Sequence, residues 1–287
     1  FSAGGKNNKV NRLRTWYAVA KFIIKLNKED PIELLHAFWL TECALVGAML
    51  STYLKIPMLV TAMGQDIKRS NHYLPFLKMF RLDVVPISSF QLKFIGSPRQ
   101  WSVRAPIPFG VELSYFNQKP VERSVDIIGV GSLNTIKNYP EFIEIIEIIA
   151  QSFPLVCVRI AGKGDQQEVM ERMIREKGLE KNIELLGERR YEEVILLMHS
   201  AKILLHTSTF EGQALVITEG LAAGLKVIAH PVGIAAGLQA KKLLTGTSKE
   251  DLVGLLLRSL SEPMMDFGSE VYFRNEETIS AYLEIWE

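Results

Sequence analysis

Cysteine is nearly absent: the 287 residues hold two, Cys43 and Cys157, both in apolar surroundings. Two thiols so placed exclude a disulfide framework and a cysteine metal site, and fit reduced core residues of a cytosolic protein. Long apolar runs are lacking as well. The uncharged run 43–54 stops at twelve residues, well short of the roughly 18–20 that span a bilayer, so no transmembrane helix is expected. Neither charge sign is in excess, with 33 Lys and Arg against 32 Asp and Glu and a net charge of +1. That balance argues against a nucleic-acid binder relying on global basicity. Asp-x-Asp does not occur, and the five histidines at 36, 72, 199, 206 and 230 show no ligand spacing, so no metal site is expected. Neither G-x-G-x-x-G nor a P-loop is present, which removes the nicotinamide dehydrogenases. The chain starts at Phe1 with no charged-then-apolar leader behind it, and the true N-terminus is expected to lie upstream.

What is present is ordinary globular composition, 48% hydrophobic and 23% charged, enough for one or two cores. The neutral total hides an asymmetry: residues 1–120 carry 16 basic and 7 acidic side chains, and residues 121–287 carry 17 and 25. This switch coincides with the Pro-punctuated stretch from Ala105 to Pro120, so the domain boundary is expected there, with a first domain over 1–115 and a second over 116–273.

The second half alternates regularly between β-rich runs and helical segments. Strands are predicted over 125–130, 155–161, 182–186, 203–206 and 225–229, and helices over 141–151, 166–177, 191–199 and 214–223. Asn138 and Pro140 occupy helix-start positions, and Gly178 and Gly224 stop helices in the left-handed cap position. Short loops between alternating elements predict a parallel sheet with helices on both faces. Two further helices are predicted near 249–260 and 274–286. The first half alternates less regularly, with a basic helix over 11–26, strands near 33–37, 58–62, 84–87 and 103, and a helix from Thr41. Only Ala3-Gly4-Gly5 precedes its first helix, so the opening strands of this domain are expected to be missing and the domain partial.

Ligands of open α/β sheets sit beyond the carboxyl ends of strands, at helix N-termini that attract anions. Three loops of the second half qualify. In the first, Gly129 to Asn138, the glycines permit close backbone approach and Lys137 could neutralise a diphosphate; equally, the glycines could serve a tight turn and the lysine be solvated. The second, Ala161-Gly162-Lys163-Gly164-Asp165, could pack against a nucleoside. The third runs from Phe210 to Glu219. Glu211 and Glu219 are eight residues apart, about 12 Å along a helix and roughly 80° around it. Carboxylates at either end of a helix start suit a ligand with hydroxyls at both ends and phosphates between, which describes a sugar nucleotide. The plainer reading makes Glu211 a first-turn acid favoured by the helix dipole and Glu219 a solvated residue, although the apolar neighbours Leu215, Val216, Leu221 and Ala222 make a free carboxylate costly there.

With these segments in order, the chain resembles the family 4 glycosyltransferases of GT-B architecture, retaining enzymes with two Rossmann-like domains facing across a cleft. The resemblance spans nearly the whole sequence: Leu34-Leu35-His36-Ala37, Val60 to Asp66, Ile107 to Val111 with Phe116, Val130 to Leu133 with Lys137-Asn138, Ala161 to Asp165, and Glu211-Gly212 with Glu219. It implies that Glu211 contacts donor hexose hydroxyls, Glu219 the ribose hydroxyls and Lys137 the diphosphate. Gly131, Gly162, Lys163 and Gly164 would stand beside them, and backbone N–H groups near Gln213 and Ala214 would hold phosphate or sugar. His36 matches a histidine near the reacting centre, and is equally readable as a structural residue at a strand end. The last helix, 274–287, would pack back on the first domain. The chain departs from the family at Ser132, where an Arg is usual, at Met63, where a His is common, and at Ala214, which replaces a frequent Gly. Arg189 and Arg190 are candidates for the missing cation.

The activity implied is transfer of a hexosyl unit from a nucleoside diphosphate sugar to an acceptor hydroxyl, in cell-envelope or exopolysaccharide synthesis, with no metal and no cofactor beyond the donor. A non-catalytic sugar-nucleotide scaffold is the alternative. The partners implied are the nucleotide sugar and a glycan or lipid-linked acceptor, with no nucleic acid. The basic first half, with Lys9, Arg12, Arg14, Lys21 and Lys25 beside Trp16, Tyr17 and Phe22, suits peripheral association with an anionic membrane at its cytoplasmic face. It would equally complement the acidic second half.

Overall fold

The structure, a computed structural model, describes residues 9–96, 98–117, 122–262 and 268–286; Gly4-Gly5, the Lys9 side chain, Lys119-Pro120 and Glu287 lie outside the described residues. Two compact units are present. The first takes the chain up to Ile87, Gln91–Ile107 and Trp286, and the second takes Ser88–Phe90 and Pro108–Ile285. The division thus falls at 107/108, eight residues before the position read from the sequence, because Val111 bridges to Arg274 and a Cβ on Gly110 would lie 2.0 Å from the Arg274 carbonyl carbon. The Pro-punctuated stretch from Pro108 on is thereby tied into the second unit, together with the last helix up to Ile285.

The first unit runs α1 (Lys9–Glu29), β1 (Leu35–Phe38), α2 (Glu42–Leu54), β2 (Met58–Ala62), α3 (Leu74–Leu77), β3 (Leu82–Pro86), α4 (Ser89–Ile95) and β4 (Trp101–Val103), although Ser89 and Phe90 group with the second unit. Its four strands pair in parallel in the order β1-β2-β3-β4. Every residue of β2 is buried, as a strand covered on both faces requires. Helix α1 presents Leu13, Tyr17 and Phe22 to solvent, each more than 60% exposed, among the exposed Arg14, Lys21 and Lys25.

The second unit runs β5 (Val125–Val130), α5 (Tyr139–Ser152), β6 (Val158–Ala161), α6 (Gln167–Glu176), β7 (Ile183–Gly187), α7 (Tyr191–His199), β8 (Ala201–His206), α8 (Leu215–Ala222), β9 (Lys226–Ala229), β10 (Leu243–Thr245), α9 (Lys249–Ser261) and α10 (Asn275–Trp286). All six strands are parallel, in the order β10-β9-β8-β5-β6-β7. Successive side chains of β5 feed opposite cores. Ile127 joins Phe142, Ile146, Ile160 and Leu256 on one face, and Ile128 joins Met198, Leu204, Ile217 and Leu221 on the other. Asn138 caps α5 in the left-handed region at φ 52° with Pro140 in the first turn, and Gly178 closes α6 at φ 66°, as the sequence predicted. The short β10 was not predicted.

The strand order reverses between β5 and β8. Successive strands wind outward from that pair in both directions, so their carboxyl ends leave the crevice in which doubly wound sheets bind ligands. Val130 and His206 are the last residues of those two strands.

Candidate donor site

The two loops that leave this switch point carry the candidate residues. Lys137 follows β5 on a loop held by Asn134, whose Oδ1 accepts from the N–H of Ile136 and Lys137 at 3.1 and 3.2 Å. Across the switch, Thr207 donates to the carbonyls of Lys137 and Asn138 at 3.0 and 3.2 Å. Glu211 follows β8, and Lys137 Nζ donates to its Oε1 at 2.6 Å. Both side chains are about one-fifth exposed or less.

His206 completes the arrangement and was not singled out by the sequence reading. Its side chain is 4% exposed and its Nε2 lies 3.4 Å from the same Oε1 of Glu211 and 3.1 Å from Ser208 Oγ. Because Nε2 faces a carboxylate it carries the ring proton, and Nδ1 is left buried without a partner among the described residues. Burial lowers the His206 pKa and keeps the ring neutral. Burial alone would push the Glu211 carboxyl up, but the His206 hydrogen bond and the Lys137 charge outweigh it and hold the group at about 2. Both donors address Oε1. Glu211 Oε2 therefore has no partner among the described residues.

The N-terminus of α8 lies a few residues on. No acceptor among the described residues takes the N–H of Gln213, Ala214, Leu215 or Val216, so these donors remain open for an anion. Ala214 is left-handed at φ 67°, which gives a physical reason for glycine at this position. The Gln213 side chain is engaged elsewhere, donating to the Phe109 carbonyl at 2.7 Å and accepting from its N–H at 2.8 Å. The Gly212 carbonyl accepts a short hydrogen bond from Ser88.

Gly131, at φ 148°, leaves space for the Lys137 stem, which lies 3.1 Å from where a Cβ would stand. Gly162 and Gly164 are required by the packing of one loop on another: a Cβ would fall 1.9 Å from the Gly131 carbonyl oxygen at the first and 2.2 Å from that of Leu133 at the second. Backbone bonds from Gly131 to Ala161 and from Leu133 to Lys163, both 3.0 Å, zip these loops together. The Lys163 side chain is 72% exposed beside Glu188 at 3.5 Å. Ser132 is exposed, and Arg189 and Arg190 turn outward, the latter pairing with Glu193.

Glu219 is 7% exposed, on α8. Burial raises its pKa, partly offset by a hydrogen bond from the Tyr191 hydroxyl. Tyr191 packs edge-on against Tyr115, with centroids 5.1 Å apart. Glu219 thus belongs to a second cluster that the sequence reading did not foresee.

In the first unit, His36 Nε2 lies 2.8 Å from Thr61 Oγ1, and its ring packs at a tilt against Phe38 and meets Trp286 edge-on, at 4.5 and 5.8 Å. Burial lowers its pKa to about 4.

The parallel α/β fold matches that of GT-B glycosyltransferases. It agrees with the Anabaena HepE structure in complex with UDP and glucose, which superposes with a TM-score of 0.72 at 19% identity over 89% of this chain and 74% of that one. Residues 113–261 match the family model for glycosyl transferases group 1, and the chain belongs to that family. It is 30% identical over 145 residues to the gpi3 subunit of the phosphatidylinositol N-acetylglucosaminyltransferase of Schizosaccharomyces pombe. An uncharacterized glycosyltransferase of Methanocaldococcus jannaschii is 26% identical across 94% of this chain. The chain spans 31% of the length of the first relative and 79% of the second.

Proposed function

We propose that this protein transfers a hexosyl unit from a nucleoside diphosphate sugar to an acceptor hydroxyl with retention of configuration, as the family 4 enzymes it resembles do. The observation that carries this is Glu211: an ionised, mostly buried carboxylate with one oxygen bonded by Lys137 at 2.6 Å and approached by His206 Nε2 at 3.4 Å, the other unpartnered among the described residues, beside the open N–H groups of α8. In this reading Oε2 accepts a hexose hydroxyl. Lys137 and the α8 N–H groups stabilise the charge that develops on the departing diphosphate, without a resident metal, and most of the acceleration comes from orientation and this preformed field. Glu219 takes the ribose hydroxyls, with Tyr191 giving way or sharing the carboxylate. His36 serves the acceptor side.

Glu211→Ala and Lys137→Ala should each lower transfer at least tenfold, about 1.4 kcal/mol or more of lost transition-state stabilisation, with a panel of nucleoside diphosphate sugars screened first by thermal shift. Full activity in both folded variants refutes the assignment. A non-catalytic binder is favoured by one observation, that Ser132 is uncharged while Arg189 and Arg190 are exposed, the latter paired with Glu193. Slow hydrolysis of the donor without acceptor distinguishes an enzyme from it.

We assign the acceptor to the lipid-linked or envelope glycans, reached from an anionic membrane surface. The outward residues of α1 support this, since cations there stand among exposed apolar side chains. Failure to sediment with vesicles rich in anionic lipid at low salt, where screening is weakest, refutes the membrane part.

A further inference from the structure

His206 is a poor choice for a purely structural strand residue. It ends β8 in register with Ala229, is 4% exposed, and buries an Nδ1 that meets no partner among the described residues. An aliphatic side chain would fill the same place without leaving a buried acceptor unsatisfied. What histidine adds is a neutral N–H donor toward Glu211 Oε1 and Ser208 Oγ.

Lys137 already donates to that same oxygen, and in the donor-site reading it is also the cation for the diphosphate. One ammonium then serves two anions. As phosphate draws it away, a carboxylate only 16% exposed loses its counter-charge, and burial favours its protonation. A protonated carboxyl becomes a donor at one oxygen and ceases to be the uniform acceptor that a sugar hydroxyl needs.

Resting on that reading, we propose that His206 is the positioning residue of the site: it holds Glu211 ionised and fixes Oε1, with Oε2 left available, while Lys137 moves to the ligand's phosphates. The ring cannot follow the ligand, because β8 is locked between β5 and β9. Being neutral, it also does not repel Lys137. The other titratable groups facing this pair are Tyr139, whose phenol is held protonated by burial and by the Glu211 charge, and His230, which contacts Glu141 at 2.9 Å.

The test removes the lysine and asks what keeps the carboxylate charged. In Lys137→Met protein, without ligand, the side-chain carboxyl resonance of Glu211, assigned by comparison with Glu211→Gln, should be that of a carboxylate at pH 5. Adding His206→Leu should protonate it at that pH, and His206→Gln in the same background, whose amide restores a donor, should return it to the ionised form. A carboxylate at pH 5 in the Lys137→Met/His206→Leu protein overturns the proposal. If that variant does not fold by circular dichroism, His206→Asn replaces it, since its shorter amide stops short of Glu211 and the same protonation is expected. In otherwise wild-type protein, His206→Leu should lower kcat at least tenfold while the affinity for UDP stays within threefold. An equal fall in UDP affinity would indicate a structural role and overturn the proposal. Wild-type protein that binds no nucleoside diphosphate of the panel and transfers no sugar refutes the donor-site reading alone and leaves the titration result standing.

Discussion

Replacing Lys137 by Met tests whether the pair at the switch point holds the loops as well as the ligand. Nζ and Oε1 are 2.6 Å apart, and the side chains are 20% and 16% exposed. At an effective dielectric of about 20, charges even 4 Å apart attract by about 4 kcal/mol, and desolvation of the ammonium returns part of that. Removing one member of a fully buried pair costs about 3–5 kcal/mol. Residual exposure and the surviving His206 contact reduce the expected loss to about 2 kcal/mol, a fall of about 4–8 °C in the transition of the second unit. The same replacement made on Glu211→Gln should cost little, since no carboxylate is left to strand. Urea or thermal unfolding of the four proteins of this cycle, followed by circular dichroism at pH 7, gives the coupling, expected at about 1.5 kcal/mol. Additivity within about 0.5 kcal/mol would refute the view that the two side chains depend on one another.

Two further outcomes follow from packing and burial. Gly162→Ala should destabilise the second unit by about 3 kcal/mol or more, because its methyl would fall 1.9 Å from a backbone oxygen, whereas Gly178→Ala, with nothing within 4 Å but φ at 66°, should cost about 1 kcal/mol; equal losses in urea titrations would contradict the loop packing. His36 is held at about 4 against about 6.5 when unfolded. The unfolded chain alone takes up that proton between those values, so stability contributed by the neutral ring is complete above pH 6.5 and lost as pH falls toward 4. His36→Asn should flatten the pH dependence of the first unit's urea midpoint over that window, and an unchanged slope would remove His36 as its cause.

The alternation of strand and helix, the caps at Asn138 and Gly178, and the parallel α/β class were legible in the sequence, because each rests on contacts within a few residues: a period, a turn, a left-handed stop. Lys137 and Glu211 were legible as candidates for the same reason, each lying in a loop between a readable strand and helix. Their pairing was not, since the 74-residue separation between them is closed only by the strand order that sets β5 beside β8. The turn of the chain after β8 brings His206 to Glu211, the β5–β6 pairing commits Gly162 to the Gly131 carbonyl, and contacts far apart in sequence give Gln213 to Phe109 and Glu219 to Tyr191. Lys163 is left in solvent. Hydrophobic period and glycine position state that a loop exists and where it starts. Which side chains meet across it depends on long-range packing, and there a difference of a few ångströms decides whether a charge is buried against a partner or left in water.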